Sequence, residues 1–598
     1  MQEVVRLVGN RNTLYAEVLM EELARAGLRH ICLSPGSRNT PLVIASARNE
    51  VLVATSHLDE RSAAFFALGA AIATDSPVAL VCTSGSAAAN YFPAIVEAHA
   101  ARVPLIVITA DRPHELRYSG ANQTIDQVKL FGEYALWSVD LALPEALPSA
   151  LAIRNLRATA NRAYSIASGA MGPKGVVHLN VPLRAPLEPT DVPTDAQVSP
   201  NGALARDDGA PFARFAPAAG RMLSVPAVEE IAALIADHPR GLIVCGPRSP
   251  RTASAAISQL ANHTGYPLLT DAVSGLRFGL AGPGHALGGY DSFLALKHPL
   301  LAPDLVIRVG AVPTSKWLNQ YLDAASPTRV IQLSDDGVWA DDTHRTRHFI
   351  HADAVRLAEA LMQTLQPRDG GTWCASFARC EQLTWQVTGE ALTSGPFFDG
   401  GVVHDIVTML PDGAMLLAGN SLPVRHLDQF GPPGTKRLFA HANRGASGID
   451  GNVSTVMGLG YARAGQPVVG VVGDVTLYHD MNGLLAAHRC GVPVILVVLN
   501  NNGGGIFHRL PVRDFEPEFT DYFLTPHGLD FAHAARLYGF DYTCVEHRDA
   551  FGAAFASALT TQKPSMIEVR TDAKADLAAR SKFMVALQAA LAAALPTS

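Results

Sequence analysis

Short apolar runs that stop abruptly at glycine, serine, aspartate or asparagine recur along most of the chain, each followed by a helical pattern. In the first part these are RHICLSPGSR, PVALVCTSG, VPLIVITADRP and GVVHLNVP, and the amphipathic TLYAEVLMEELARAGL, with Gly27 near its end, precedes them. Runs apolar on both faces are strands of a buried parallel sheet, which requires helices to cross between them. The pattern returns in GLIVCGP, YPLLTDAVSG, DLVIRVGAVP and TRVIQLSDDG, and again in AMLLAGNS, KRLFAHANRG, PVVGVVGD, VPVILVVLN and PSMIEVRT. The expected fold is α/β: three doubly wound α/β domains with mainly parallel sheets. Polar residues then fall at the carboxyl ends of strands, where such sheets bind ligands.

A chain of 598 residues exceeds what one core can organise. A Pro-, Ala- and Asp-rich stretch, PTDVPTDAQVSPNGALARDDGAPFARFAPAAG, reads as a surface linker. The expected division is a domain over 1–190, a linker over 191–226, a central domain over 227–390 and a third domain over 391–598. Lys and Arg number 47 against 54 Asp and Glu, a net charge of 47 − 54 = −7, so no basic excess exists to neutralise nucleic-acid phosphates. No apolar run reaches the length of a membrane span, and MQEVVRLVGNRNTLYAEVL lacks the order of a signal peptide, so a cytoplasmic location is expected. The 7 cysteines show no paired spacing and read as core fillers.

The chemistry concentrates in GDVTLYHDMNGLLAAHRCGVPVILVVLNNNGGGIF. PVVGVVGD ends one strand at Asp474 and VPVILVVLNN ends the next at Asn500 and Asn501, so a strand–helix–strand crossover sets the two tips side by side. A carboxylate, an amide oxygen and a backbone carbonyl in the glycine turn at Gly503 form a hard-oxygen set suited to Mg²⁺ and a diphosphate. Read separately, Gly-Asp is a helix cap and NNNGGG a surface turn.

Together, the two halves match the signature of thiamine-diphosphate-dependent enzymes, with Asp474 and Asn501 separated by 27 residues and a strand before each. Val475 departs from the commonest form, which has glycine there. The cofactor's aminopyrimidine needs a carboxylic acid, and Glu60 in HLDERSAAFFALGAA is the candidate, an acid that would otherwise simply complement a helix dipole. LSPGSRNTPL, DERSAAFFALG, TADRPHELRYSGANQTIDQ, NRGASGIDG and NNNGGGIF occur in order, and this set resembles the thiamine-diphosphate family branch of menaquinone biosynthesis. The central domain and linker carry little of the resemblance.

The resemblance implies a thiamine-diphosphate-binding fold, with the diphosphate held through Mg²⁺ or Mn²⁺ on Asp474, Asn501 and Gly503 and with Ser421 near the cofactor. It implies that 2-oxoglutarate is decarboxylated and its succinyl unit added to isochorismate. Both substrates are dicarboxylates, and the family's basic positions map onto Arg38, Arg112, Lys316, Arg425 and Arg444, joined by Ser37 and Gln123. Ser37 is equally readable as a helix cap. Ile449 is either a wedge that bends the cofactor or a core isoleucine, and Ile506, Phe507 and Leu510 form apolar walls. Glu60 is expected to act across a homodimer interface, with a tetramer left open. His57 and His479 flank these motifs without an assigned role. The alternatives are an acetolactate-forming type of carboligase, which shares Glu60, Asp474 and Asn501 but is not expected to combine SPGSR with the basic set, and a non-catalytic ligand-binding module of the same fold.

Overall fold

The computed structural model describes residues 9–196, 203–216, 220–280, 286–463 and 465–595. The first sheet contains β1 (His30–Leu33), β2 (Val53–Ser56), β3 (Val78–Cys82), β4 (Leu105–Asp111), β5 (Ala135–Asp140) and β6 (Val176–Pro182), in the order β2-β1-β3-β4-β6-β5. The second contains β7 (Gly241–Cys245), β8 (Leu268–Thr270), β9 (Leu305–Val309), β10 (Arg329–Ser334) and β11 (His348–His351), in the order β11-β10-β9-β7-β8. The third contains β12 (Met415–Ala418), β13 (Phe439–His441), β14 (Val468–Gly473), β15 (Val494–Asn500), β16 (Asp541–Val545) and β17 (Ser565–Arg570), in the order β13-β12-β14-β15-β17-β16. The strand pairings in all three sheets are parallel. The fold is therefore the doubly wound α/β type expected. β3, β4, β6, β7 and β9 are buried along their whole length, which is why they read as continuous apolar runs.

β5, β11 and β16 are strands that apolar patterning does not reveal. Each is the last strand of its sheet, and each keeps exposed or half-exposed residues along most of its length. An edge strand needs neither two apolar faces nor two neighbours, so ALWSVD, HFIH and DYTCV lack the signal that marks a central strand.

The chain divides into two compact units, one of residues 1–218, 443–464 and 480–492, the other of residues 219–442, 465–479 and 493–598. In the first, the apolar helix Glu60–Thr74 packs on the helix Asn452–Ala462. A Cβ at Gly69 would lie 2.1 Å from the Thr455 carbonyl oxygen, and one at Gly458 would lie 1.9 Å from that of Phe66. The two backbones thus touch at both glycines. Parts of the expected linker, 197–202 and 217–219, lie outside the described residues. Its described residues up to 216 are fastened to this unit: Asp195 pairs with Arg11 at 2.7 Å, and Phe212 N–H donates to the buried Glu22 at 2.6 Å.

The second unit holds the other two sheets. Fully buried Arg277 donates to Asp428 Oδ1 at 2.6 Å and to the Thr270 carbonyl at 2.8 Å, and Tyr290 donates to the same carboxylate oxygen at 2.7 Å. A long helix, Gly371–Ser394, starts inside the QPRDGGT stretch where the strand–helix pattern fades, and buries Trp373, Phe377 and Cys380 with Phe583, Leu587 and Leu591 of the C-terminal helix Ala573–Ala594. That last helix corrects one expectation, because it is long and apolar enough by composition to cross a membrane. Its alanine-rich sequence produces this property, while its larger apolar side chains Phe583, Leu587 and Leu591 are buried in the core.

Replacing Gly458 with alanine inserts a methyl group against a backbone carbonyl that has no flexible end to yield. Gly458→Ala is expected to cost about 1–3 kcal/mol of stability. Denaturant unfolding checks this, and an unchanged midpoint would show that the helices separate freely.

Candidate active site

In the first unit, functional side chains gather where strands of the first sheet end. Arg38 follows β1 in the loop Ser34–Asn39 and donates to the Leu183 carbonyl at 2.8 Å. Arg112 follows β4, donates to the Asn122 carbonyl at 2.9 Å and also bonds Ser84 Oγ in the turn after β3. Burial first, and then the neighbouring Arg112 cation, lower the Arg38 pKa. Two guanidinium groups are therefore held beside each other, and neither forms an ion pair among the described residues.

Gln123, in a left-handed conformation at φ 54°, donates to the Ser84 carbonyl at 3.0 Å, while Ser37 is exposed. Gln127 supports this arrangement from beneath. Its side chain accepts from Gly85 N–H at 2.8 Å and donates to the Ala110 carbonyl at 3.1 Å and to Asn180 Oδ1 at 3.0 Å. Sequence reasoning missed Gln127, for which the only available signal was a second glutamine in ANQTIDQ.

Glu60 is half-buried in the first turn of its helix, after the N-cap Asp59, whose Oδ1 accepts from Ser62 N–H at 3.1 Å. Its charge adds to burial in raising the pKa of the Cys82 thiol and of the Tyr91 hydroxyl, which places the carboxylate beside the end of β3. The loop Asn443–Gly451 carries Arg444 and Ile449, both half-buried. Buried Glu97 organises this loop, accepting from the backbone N–H of Gly445 at 2.7 Å, Ala446 at 2.6 Å and Ser447 at 3.3 Å. Glu97 was not anticipated either, because its carboxylate faces a segment some 350 positions away in sequence.

In the second unit, β14 and β15 pair in parallel with Gly473 opposite Leu499, so Asp474 and the asparagine turn leave neighbouring strand tips as expected. Asp474 Oδ2 accepts from Gly503 N–H at 2.9 Å, and Oδ1 accepts from Val475 N–H at 2.7 Å. His527 Nε2 lies 3.2 Å from Asp474 Oδ2, a contact that no motif announced. Burial raises the Asp474 pKa, against the pull of these donors. Gly503 sits at φ 141°, and a Cβ there would lie 2.1 Å from the Leu524 carbonyl oxygen, so only glycine fits this turn.

Asn501 Oδ1 is buried without a hydrogen-bond partner among the described residues. A buried amide oxygen with spare lone pairs next to a buried carboxylate and a glycine turn fits a divalent cation that prefers oxygen ligands. Ser421, at φ 76°, ends the segment after β12, and its carbonyl accepts from Arg425 one turn later. Ile506 and Phe507 are half-buried in the helical turn Gly505–Arg509, with Phe507 edge-on to Phe523 at 5.5 Å, and Leu510 is exposed. Lys316 is exposed at the start of the helix Lys316–Ala325, after β9, and bonds none of these residues.

Comparison with known proteins agrees with this geometry. A family model described as the N-terminal TPP binding domain of thiamine pyrophosphate enzymes matches residues 14–130, the middle domain of thiamine pyrophosphate matches 216–417, and the C-terminal TPP binding domain matches 429–569. The chain belongs to the thiamine pyrophosphate enzymes, whose cofactor is thiamine diphosphate held with a divalent metal ion.

Its relatives narrow the class. A protein of Roseiflexus castenholzii is 58% identical over 97% of this chain and 99% of its own length. One of Roseiflexus sp. is 58% identical over 96% and 98%, and one of Haloarcula marismortui is 43% identical over 96% and 98%. All three are named 2-succinyl-5-enolpyruvyl-6-hydroxy-3-cyclohexene-1-carboxylate synthase, and the chain is a member of that synthase family.

The two histidines beside the motifs part company. His479 is exposed, whereas His57 is buried against Phe66 with its ring nitrogen 3.0 Å from Thr55 Oγ1. Burial, then the Arg489 cation, push His57 down to about 4, and burial does the same to His178. Both folded-state pKa values lie below the ordinary 6.5, so the unfolded chain binds more protons between pH 6.5 and 4. The contribution of these two histidines to stability is full above pH 6.5 and is expected to fall as pH drops through that window, by about 3 kcal/mol for each. His57→Gln is expected to flatten part of the slope in unfolding measured across that range.

Proposed function

We infer that this chain decarboxylates 2-oxoglutarate and adds the succinyl unit to isochorismate, giving 2-succinyl-5-enolpyruvyl-6-hydroxy-3-cyclohexene-1-carboxylate and CO2 in menaquinone biosynthesis. The observation that carries this reading is the adjacent Arg38 and Arg112, oriented by backbone carbonyls and by Ser84, neither of which forms an ion pair among the described residues. Adjacent guanidiniums repel, and a dicarboxylate substrate relieves that repulsion while filling their two-pronged donor geometry. Identity to synthases along nearly the whole chain supports the same reading.

When bound, thiamine diphosphate supplies the carbanion chemistry that makes the carbonyl carbon of a 2-oxo acid nucleophilic. Asp474, Asn501 and Gly503 would hold its metal ion, and Ser421 and Ile449 would contact the cofactor. Glu60 would hydrogen-bond the aminopyrimidine and govern its proton. Arg38, Arg112, Lys316, Arg425 and Arg444 would bind carboxylates of substrate, with Ser37 and Gln123 adding neutral hydrogen bonds. Ile506, Phe507 and Leu510 would exclude water from the reacting carbon. A homodimer is the working unit in this reading, because Glu60 of one chain would serve a cofactor held by Asp474 of a second copy. The reaction belongs in the cytoplasm.

Mass spectrometry of products tests the activity. Protein incubated with thiamine diphosphate, Mg²⁺, 2-oxoglutarate and isochorismate is expected to yield the succinyl adduct only when all four are present. Consumption of 2-oxoglutarate without the adduct would point to a different acceptor. Glu60→Gln is expected to abolish turnover while retaining calorimetric binding of the cofactor, whereas Asp474→Ala is expected to lose metal-dependent binding. Arg112→Ala removes a charge-assisted contact of about 1.5–3 kcal/mol, which lowers kcat/KM for a dicarboxylate roughly ten- to 150-fold.

A further inference from the structure

A second group of ligand-type side chains lies in the same unit as Asp474 and has no part in the reaction above. Asp399 opens the helix Asp399–Met409, His426 lies in the helix Leu422–Phe430, and Asp576 lies in the first turn of Ala573–Ala594. One potential ligand atom from each falls within 4.8 Å of the others. All three side chains are buried, His426 completely.

Their unsatisfied atoms come together. Among the described residues, Asp399 Oδ2, Asp576 Oδ1 and both ring nitrogens of His426 have no hydrogen-bond partner. The other carboxylate oxygens are held: Thr571 Oγ1 donates to Asp399 Oδ1 at 2.7 Å, and Arg509 Nη2 is 3.5 Å from Asp576 Oδ2. Arg580 is directed elsewhere, donating to Gln429 Oε1 at 2.7 Å and facing Asp291 at 4.0 Å. Asp399 therefore has no cationic partner within ion-pair distance among the described residues. Two sealed carboxylates and an imidazole with vacant lone pairs must share a proton, hold water or bind a cation. Burial, and then Arg509, Arg580 and Arg425, keep His426 neutral, and the neutral ring is the form that ligates metals.

We propose that Asp399, His426 and Asp576 form a second divalent-cation site that takes Zn²⁺ or Mn²⁺. Two carboxylates neutralise the ion's charge, and an imidazole ligand favours these ions over Mg²⁺, which prefers oxygen ligands alone. The bound ion would brace two helices that are neighbours in sequence, Asp399–Met409 and Leu422–Phe430, the latter carrying Arg425, against the distant C-terminal helix Ala573–Ala594. It would thus be structural, and the proposal does not depend on which substrates the enzyme uses.

The test titrates metal-stripped full-length protein with Zn²⁺ alone, by calorimetry without thiamine diphosphate. Two equivalents are expected for the native chain. Asp474→Asn is expected to remove one of them, and His426→Gln or Asp399→Asn the other, while the latter two keep Mg²⁺-dependent cofactor binding. A native chain that binds a single equivalent, lost in Asp474→Asn, would overturn the site and leave the cluster to a proton or to water. Unchanged stoichiometry in His426→Gln would overturn it equally. Should the cluster variants fail to fold, X-ray absorption of Zn²⁺-loaded Asp474→Asn decides: imidazole scattering at the metal is expected, and purely oxygen scattering refutes the proposal.

Discussion

The helix Glu60–Thr74 meets the helix Asn452–Ala462 so closely that backbone occupies the place of side chains at Gly69 and Gly458. Much of the first unit depends on that crossing. It joins the helix that begins with Glu60 to the one entered from the loop Asn443–Gly451, and Arg463 reinforces the far end by donating to the Ala73 carbonyl at 3.0 Å. Glu97 then fixes the loop by three backbone hydrogen bonds, so the loop carrying Arg444 is organised by a group it meets only in the fold. A methyl group at either crossing glycine would move the acid and the loop together.

Electrostatics divides the labour between the units. In the first, positive charge is collected at Arg38 and Arg112, neither of which forms an ion pair among the described residues, although the chain as a whole carries a net charge of −7. In the second, negative charge is buried at Asp474, where Gly503 and Val475 N–H groups and His527 offset only part of its desolvation. In the proposed function a dicarboxylate would answer the one and a divalent cation the other.

Central strands were legible because both faces are buried, which forces an unbroken apolar run ending in a polar tip. β5, β11 and β16 were not, since an edge strand satisfies its backbone on one side and tolerates polar residues on the other. The Asp474–Asn501 turn was readable for a related reason: the two residues end adjacent strands joined by one crossover, so local chain order alone places them together. Gln127, Glu97 and His527 act through contacts made by folding, and a lone glutamine, glutamate or histidine carries no mark of its eventual partner.

Sequence by itself determined the α/β class, the run of buried strands, the family and the Asp474–Asn501–Gly503 turn, because each depends on residue type and spacing along one continuous segment. Tertiary structure decided which basic residues stand beside one another, that Asn501 Oδ1 is buried with spare lone pairs, and that His57 is a neutral buried ring rather than an exposed one like His479. It also brought Asp576 of the C-terminal helix to Asp399 and His426 of two earlier helices. The physical reason is range: hydrophobic periodicity is a property of neighbouring residues, whereas desolvation, Coulomb interaction and hydrogen bonding depend on distances that exist only once the chain has folded.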